Sequence, residues 1–571
     1  MHKKQGRIFL ALTAAAFLLF SCASTPKNSS NSEDEIISLG GSRRNSKSYF
    51  SGIDKNILDL VEDGSPLSLR QATSLLHNSV EEDYAENEKV LLFTAAKIMQ
   101  IVWPSETVNW QVPQCETQNS YTGAIESAER GIYDYSTGNS DFLTLVLPSL
   151  VLLTQSSKTD YYKDAQIALE EALRYKEDSV LANYLLATLK FRQKDYNGAL
   201  SQYKKCEAKS PETFEIQCGI TECCYGQNNF LLTLEKSSLL LEKYPQDLRL
   251  LELAAKSSYE TGNLEKSESY VVKLLLLEPE NLDYVLFRAK ILMDKADYIR
   301  AAALLDVYSR KDSSAKDYLI LRAKLQRDWN KNNTAAAETI SKALEYYPDD
   351  EEVLLLAAQI ASGTNLKLNG NSAKTLAEKL LNSDQKNLEA QQISVLEMIK
   401  SGEWQNAYNL SSEIIKTSPD TKNLCKHIEI CLSLKKNQEA TEIAENLYRE
   451  NQNDEDVQQT YLAVLVAASK KADALSMIQS LLPTASSKMK SFLYYEKSLL
   501  DSQEEEILND LRSSLTANPR NRDSLYRLYL IYYKKSDWRR AQYYLKQVVA
   551  LDPNDTEILA KNAELDKILG R

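Results

Sequence analysis

Pro211, Pro245 and Pro279 stand 34 residues apart, and so do Pro519 and Pro553. A second ruler of the same length runs through Ala187, Thr221, Ala255, Ala289 and Ala323, all small or fairly small side chains. A recurrence of this length constrains the fold strongly. Each period is one supersecondary unit, and units that cannot bury an apolar face alone must stack on one another. Within 180–211, Tyr184, Ala187 and Phe191 fall at helical spacings. The polar break QKD follows, then Tyr196, Ala199, Leu200 and Tyr203 mark a second helix that ends before Pro211. The stretch around SDWRRAQYYLKQVVALDPND, 536–555, does the same, with Leu525, Leu528, Tyr529 and Tyr532 before the break and Trp538, Ala541, Leu545 and Val548 after it. Gly402, Trp404, Ala407 and Pro419 occupy equivalent places, as do Gly262 and Ser267 in 259–279. Gly and Pro number only 16 and 13 in 571 residues, which suits long runs of helix.

These residues resemble the tetratricopeptide repeat. The family pattern has a small residue at its eighth position, Ala at its twentieth and Pro at its thirty-second. Here those fall on Ala187, Ala199 and Pro211, on Ala255, Ser267 and Pro279, and on Tyr529, Ala541 and Pro553. Tyr529 departs from the small-residue rule, and Thr221 with Thr233 makes 214–245 a weaker match. The resemblance covers roughly 160–555. It implies an all-α protein, a right-handed α-α superhelix of stacked helical hairpins with an extended inner face. Small residues let the two helices of a unit approach, and a larger one would overpack the contact by about 1–3 kcal/mol. In 351–387 the unit carries a stretched turn, GTNLKLNGN, and 556–570 reads as a C-terminal capping helix.

The amino terminus is organised differently. MHKKQGR is followed by IFLALTAAAFLLF and then SCAS. Thirteen apolar or near-apolar residues are too few to cross a bilayer and suit the core of an export signal. LLFSC resembles a bacterial lipobox in the relaxed form of spirochaete-type envelope lipoproteins, with Leu19 and Ser21 ahead of Cys22. The resemblance implies cleavage before Cys22, lipids on that Cys, and export to the cell envelope, anchored in the outer membrane and facing the periplasm. An ordinary secretion signal is the competing reading. Residues 25–48 are rich in Ser, Asn and Gly and cannot bury enough apolar surface to fold. The expected organisation is therefore a signal at 1–21, a lipidated Cys and tether at 22–48, a helical region at 49–155, the repeat array at 156–555 and the cap at 556–571.

Residues 103–123 contain Trp103, Trp110, Pro104, Pro113 and Cys115 with no clear period. They form either a functional loop packed by its own aromatics, with Trp103 and Trp110 as candidate binding residues, or a structural insertion filling the first layers.

Catalytic chemistry is sparse. Beyond the export segment there are two histidines, His77 and His427, far apart and without HExxH or other metal-ligand spacing. No phosphate-binding glycine loop or EF-hand pattern occurs. No cofactor, metal or enzymatic activity is expected. Setting Cys22 aside leaves seven cysteines. Cys206, Cys218, Cys223 and Cys224 act either as small packing residues or, after export, as a disulfide partnership. The net charge of −12 and the lack of a basic stripe argue against nucleic acid. Nothing in the sequence sets an oligomeric state.

The family resemblance implies which positions line the inner face. They include Tyr184, Phe191 and Arg192, then Tyr225, then Lys256 and Tyr259, then Lys290, then Lys324 and Arg327. An aromatic ladder (Phe191, Tyr225, Tyr259) and a basic one (Lys256, Lys290, Lys324) each step by one repeat. A peptide with apolar anchors and acidic groups fits both. The alternative is that the aromatics are core and the lysines only keep the helices soluble. The leading functional expectation is a membrane-tethered, non-enzymatic scaffold that binds envelope proteins or peptides, serving complex assembly or transport. The alternative is a component that hands a small molecule or glycan to a transporter, which would need an enclosed apolar pocket.

Overall fold

In the computed structural model the described residues are 49–50, 52–78, 86–107, 119–135, 141–155, 158–551 and 555–570. The signal, Cys22, the tether, Trp110, Cys115 and Pro553 lie outside them. The described residues form 29 α-helices, two short 3₁₀ turns and no strand, an all-α, tetratricopeptide-like repeat architecture. The chain divides into two compact units at Leu304/Leu305.

The first unit opens with α1 (Lys55–Asp63), α2 (Pro66–Asn78), α3 (Glu86–Val102), α4 (Ser120–Glu129), α5 (Phe142–Gln155) and α6 (Tyr162–Tyr175). Hairpins follow: α7 (Val180–Arg192) with α8 (Tyr196–Lys209), α9 (Phe214–Gly226) with α10 (Phe230–Lys243), and α11 (Leu248–Glu260) with α12 (Leu264–Leu277). Next come α13 (Leu282–Asp294) and α14 (Tyr298–Ser309), and the division between units falls within α14. The second unit continues with α15 (Lys316–Asp328), α16 (Asn333–Tyr346), α17 (Glu351–Thr364), α18 (Ala373–Ser383), α19 (Leu388–Lys400), α20 (Trp404–Thr417), α21 (Thr421–Ser433) and α22 (Asn437–Glu450). It ends with α23 (Glu455–Ala467), α24 (Lys471–Leu481), α25 (Ser487–Leu500), α26 (Glu504–Ala517), α27 (Arg522–Lys534), α28 (Trp538–Leu551) and α29 (Thr556–Ile568). The stretched turn expected in 351–387 lies between α17 and α18, where Leu368 and Asn371 exchange a pair of backbone hydrogen bonds.

The 34-residue ruler has a packing cause. Ala187, Thr221, Ala255, Ala289 and Ala323 are all fully buried in the first helices of their hairpins. Ala199, Thr233, Ser267 and Ala301 are equally buried in the second helices. Where Ser267 replaces the expected Ala, its hydroxyl donates to the Ala255 carbonyl across the hairpin at 2.8 Å, so the polar atom costs little.

The turn inside each hairpin is closed by backbone geometry. Lys194, Asn228, Gly262 and Ala296, again 34 apart, adopt positive φ between 57° and 77°. The next residue closes the first helix in a Schellman arrangement, with its amide donating five residues back. Asp195 donates to Lys190, Asn229 to Cys224, Asn263 to Ser258 and Asp297 to Leu292, all at 2.8–2.9 Å. The same four residues then cap the second helix, their side chains accepting from the backbone amides of Gly198, Leu232, Lys266 and Arg300. Only one of the four left-handed positions is glycine, because the Schellman bonds hold the others in place.

The described residues between 49 and 155 and the first hairpins share one hydrophobic core, running from Phe50 to Cys224. Helix α5, FLTLVLPSLVLLTQ, is apolar all round and sits deep in it. Ser179 Oγ donates to the Glu62 carbonyl at 2.7 Å, and Lys209 pairs with Asp63 at 3.1 Å. Among the described residues the core therefore runs on from the amino-terminal helices into the hairpins.

Gly219 faces the Tyr203 ring so closely that a Cβ would fall inside it. Gly219→Ala should destabilise the first unit by about 1–3 kcal/mol. Ala296→Gly should stabilise it by about 1 kcal/mol, by relieving a left-handed non-glycine residue. Opposite shifts of the urea midpoint check the pair.

Candidate functional site

The first helices of successive hairpins abut: α7 touches α9, and α9 touches α11. Their facing side chains make a polar patch in the first unit. Glu222 and Arg249 are half-buried there beside Tyr184 and Cys218. Burial pushes the Glu222 carboxyl above its ordinary range, with Arg249 opposing. Burial also works against the Arg249 charge, but Cys218, Glu222 and Asp247 hold the guanidinium protonated. Arg249 lies over the Phe214 ring at 5.6 Å and reaches Asp247 at 3.8 Å. A hydrogen-bonding ligand would meet a carboxyl, a guanidinium and a phenol in a partly dehydrated setting, where such contacts are stronger than in water.

The expected inner-face residues divide by what they touch. Tyr184 packs between Trp103 and Tyr203, with ring centroids at 4.6 and 5.6 Å. Phe191 meets Tyr196 edge-on at 5.5 Å and 62°, and Tyr225 meets Phe230 at the same distance and angle one repeat later. The aromatic ladder thus pins the two helices of each hairpin together near the turn. Tyr259 breaks the series. Its ring meets Phe287, its hydroxyl donates to Asp294 at 2.5 Å, and the Lys290 ammonium lies 4.7 Å from its centroid. Arg192 donates to the carbonyls of Leu152 and Leu153, capping the end of α5. Lys256 pairs with Glu252 at 2.5 Å. In the second unit Lys324 pairs with Glu352 at 3.1 Å, and Arg327 with Asp328 at 2.6 Å and Gln359 at 3.1 Å.

Trp103 is fully buried. Its indole Nε1 donates to the Gly64 carbonyl at 2.8 Å, and the following Ser105 amide donates to Glu215 of α9 at 2.8 Å. Trp103 is therefore part of the junction between the amino-terminal helices and the repeats. The six described cysteines are free thiols, and all but Cys425 are buried.

One cluster was not anticipated from spacing. His427 and Cys431, four residues apart on α21, are both fully buried and face Glu439 on α22. Cys431 Sγ lies 3.5 Å from His427 Nε2, and Glu439 Oε1 lies 3.4 Å from the same nitrogen. Burial pushes the His427 pKa below its ordinary value and the Cys431 thiol up to about 11. The signal in the sequence was H-x3-C on one helix face with an acid eight residues on, and it needs the hairpin turn to become a cluster.

The best-formed hollows among the described residues are open notches at hairpin turns. One of about 600 Å³ is lined by Thr261, Gly262, Asn263, Leu264, Glu265 and Lys295. Neither it nor the second, at Asn437–Glu442 and Ala467–Ser469, is an enclosed apolar pocket. No helix among the described residues is long and apolar enough to cross a membrane.

No family model and no curated protein matches this sequence. Among solved structures, the chain is similar to a tetratricopeptide repeat protein from Parabacteroides merdae, at 14% identity over 47% of this chain and 98% of that one, with a TM-score of 0.34. It is also similar to the Cut9–Hcn1 hetero-tetramer of the APC/C (16%, 88% and 99%, TM-score 0.43). A third is PilF of Pseudomonas aeruginosa (17%, 41% and 99%, TM-score 0.32).

Glu496 on α25 is a buried acid of the second unit. Burial pushes it from 4.5 up to about 7, with Asp523 reinforcing and Arg527 opposing. The folded chain keeps this proton to near neutrality, while the unfolded chain releases it above about pH 4.5. Its contribution is therefore complete below that pH and is lost as pH rises through 7, by up to roughly 3 kcal/mol. Glu496→Gln should flatten this part of the stability–pH curve and stabilise the chain at pH 8, as read by denaturant titration at each pH.

Proposed function

We propose that this protein is a membrane-tethered, non-enzymatic scaffold of the bacterial envelope that binds partner proteins or peptides along the abutting first helices of its hairpins. The observation that supports it is the polar face across α9 and α11, where Glu222, Arg249 and Lys256 stand half-buried on adjoining first helices. Repeats of this kind put their binding capacity into a continuous face rather than a pocket. The open hollows favour that reading over a receptor that encloses a small molecule.

The partner segment is expected to carry apolar anchors and acidic groups. Lys256 and Lys290 already have internal partners, Glu252 and the Tyr259 ring. Exposed pairs of this sort hold by only about 0–1 kcal/mol, so an incoming carboxylate can take them over. Aromatic and basic side chains at such a face are the usual energetic anchors. Tethering rests on residues 1–22, with lipids on Cys22 holding the scaffold to the outer membrane on its periplasmic side. More than one acyl chain makes that attachment durable. Assembly or transport complexes of the envelope are the setting this implies.

Crosslinking in intact cells, followed by recovery of tagged protein, tests the binding face. The variant Arg249→Ala/Lys256→Glu should lose partner affinity by about 2 kcal/mol or more with helicity unchanged by circular dichroism. An unchanged set of crosslinked partners would count against the face. For the anchor, Cys22→Ser should move the protein from the membrane to the soluble fraction, and retention in the membrane would remove the lipid from the proposal.

A further inference from the structure

We propose that His427, Cys431 and Glu439 form a zinc site that clips α21 to α22. The argument begins with hydrogen-bond directions. Ser411 Oγ lies 3.1 Å from the Tyr408 carbonyl, to which it can only donate, and 2.8 Å from His427 Nδ1. With its proton on the carbonyl, the hydroxyl accepts from Nδ1–H. That leaves the lone pair of Nε2 facing Cys431 Sγ at 3.5 Å and Glu439 Oε1 at 3.4 Å. The Cys431 thiol can donate to that lone pair, but Nε2 and the Glu439 carboxylate oxygen then face each other as two acceptors, a pairing that a bound cation relieves.

The spacing matches a particular cation. A tetrahedral zinc ion with a thiolate at ~2.3 Å, an imidazole nitrogen at ~2.0 Å and a carboxylate oxygen at ~2.1 Å sets the S···N edge near ~3.6 Å and the N···O edge near ~3.4 Å. Both observed edges agree within about 0.1 Å, and all three donors lie within 4.8 Å of one another; the remaining edge, Cys431 Sγ to the Glu439 carboxylate, has to close to about 3.6 Å on binding, a movement open to the Glu439 side chain because it is partly exposed. Imidazole, thiolate and carboxylate together suit zinc rather than calcium or magnesium, which favour oxygen alone.

The outer shell is also in place. Ser411 orients His427, and the Tyr408 hydroxyl lies within hydrogen-bond distance of both Glu439 oxygens, at 2.9 and 3.0 Å. The turn adds stiffness, because the Lys436 amide donates to the Cys431 carbonyl at 2.8 Å. Access is from the Glu439 side, where that side chain and Lys436 are 39% and 36% exposed. The Lys436 ammonium, 3.8 Å from Glu439 Oε2 and 3.3 Å from the Tyr408 ring centroid, sits on a flexible stem and can swing out. Binding releases the Cys431 proton to solvent and leaves a fourth position for water or a partner's ligand.

The test uses the full chain, stripped with a chelator and titrated with Zn²⁺ or Co²⁺ alone. One equivalent should bind, raising the melting temperature. Co²⁺ should show a thiolate charge-transfer band and the visible bands of a tetrahedral ion. Cys431→Ser should abolish the charge-transfer band, and Glu439→Gln, which alters a partly exposed group and should spare the fold, should weaken uptake. Ser411→Ala should weaken it by about 10–100-fold. No stoichiometric uptake by the parent chain would overturn the proposal. So would a charge-transfer band that persists in Cys431→Ser, or unchanged affinity in Glu439→Gln, either of which places the metal elsewhere.

Discussion

A two-helix hairpin of this size cannot bury its own apolar surface, so every hairpin here relies on the next. The contact works because the residues at the closest approach are small. Ala187 and Ala199, and their equivalents one repeat on, leave no room for a longer side chain. The spacing of these contacts is held by the turns. Asp195, Asn229, Asn263 and Asp297 each finish one helix with their amide and begin the next with their side chain. One residue thus sets both the exit and the entry direction, and the register repeats because that residue repeats.

An array of this type needs its ends covered, since a bare end would expose an apolar face. In the second unit α29 provides the cover, with Ile558 and Leu565 buried against the cluster around Leu528 and Leu545. In the first unit the cover is much larger. Trp103 stacks on Tyr184, Arg192 holds the carbonyl end of α5, and Glu215 receives the Ser105 amide. Three positions that a repeat would otherwise turn outward are drawn into this junction. The accessible face therefore begins farther along, at Glu222, Arg249 and Lys256.

How much of the candidate site was legible depended on whether its residues follow the repeat. The position of Lys256 beside α9 follows from the period alone. The role of Arg192 did not, because its partners, Leu152 and Leu153, belong to a helix that carries no repeat signal. The departure at Tyr259 was likewise hidden: Leu264 stands where Tyr196 and Phe230 stood in earlier hairpins, so the ring turns to Phe287 and Asp294 instead. His427 looked isolated because its neighbours are four and twelve residues away, on two helices that only the turn at Lys435 brings face to face.

The sequence by itself determined that the chain is helical, where its hairpins begin and end, and which small residues sit at their contacts. A period of 34 can be read without coordinates because local helix signals and close-packing demands coincide at every repeat. Only the tertiary structure decided which aromatic and charged groups are taken up inside the molecule. It also decided that the described amino-terminal helices, α1 to α6, share a core with the hairpins, and that an imidazole, a thiol and a carboxylate meet. Those outcomes depend on contacts between segments with no common period, and pairing across such segments leaves no regular mark in a single chain.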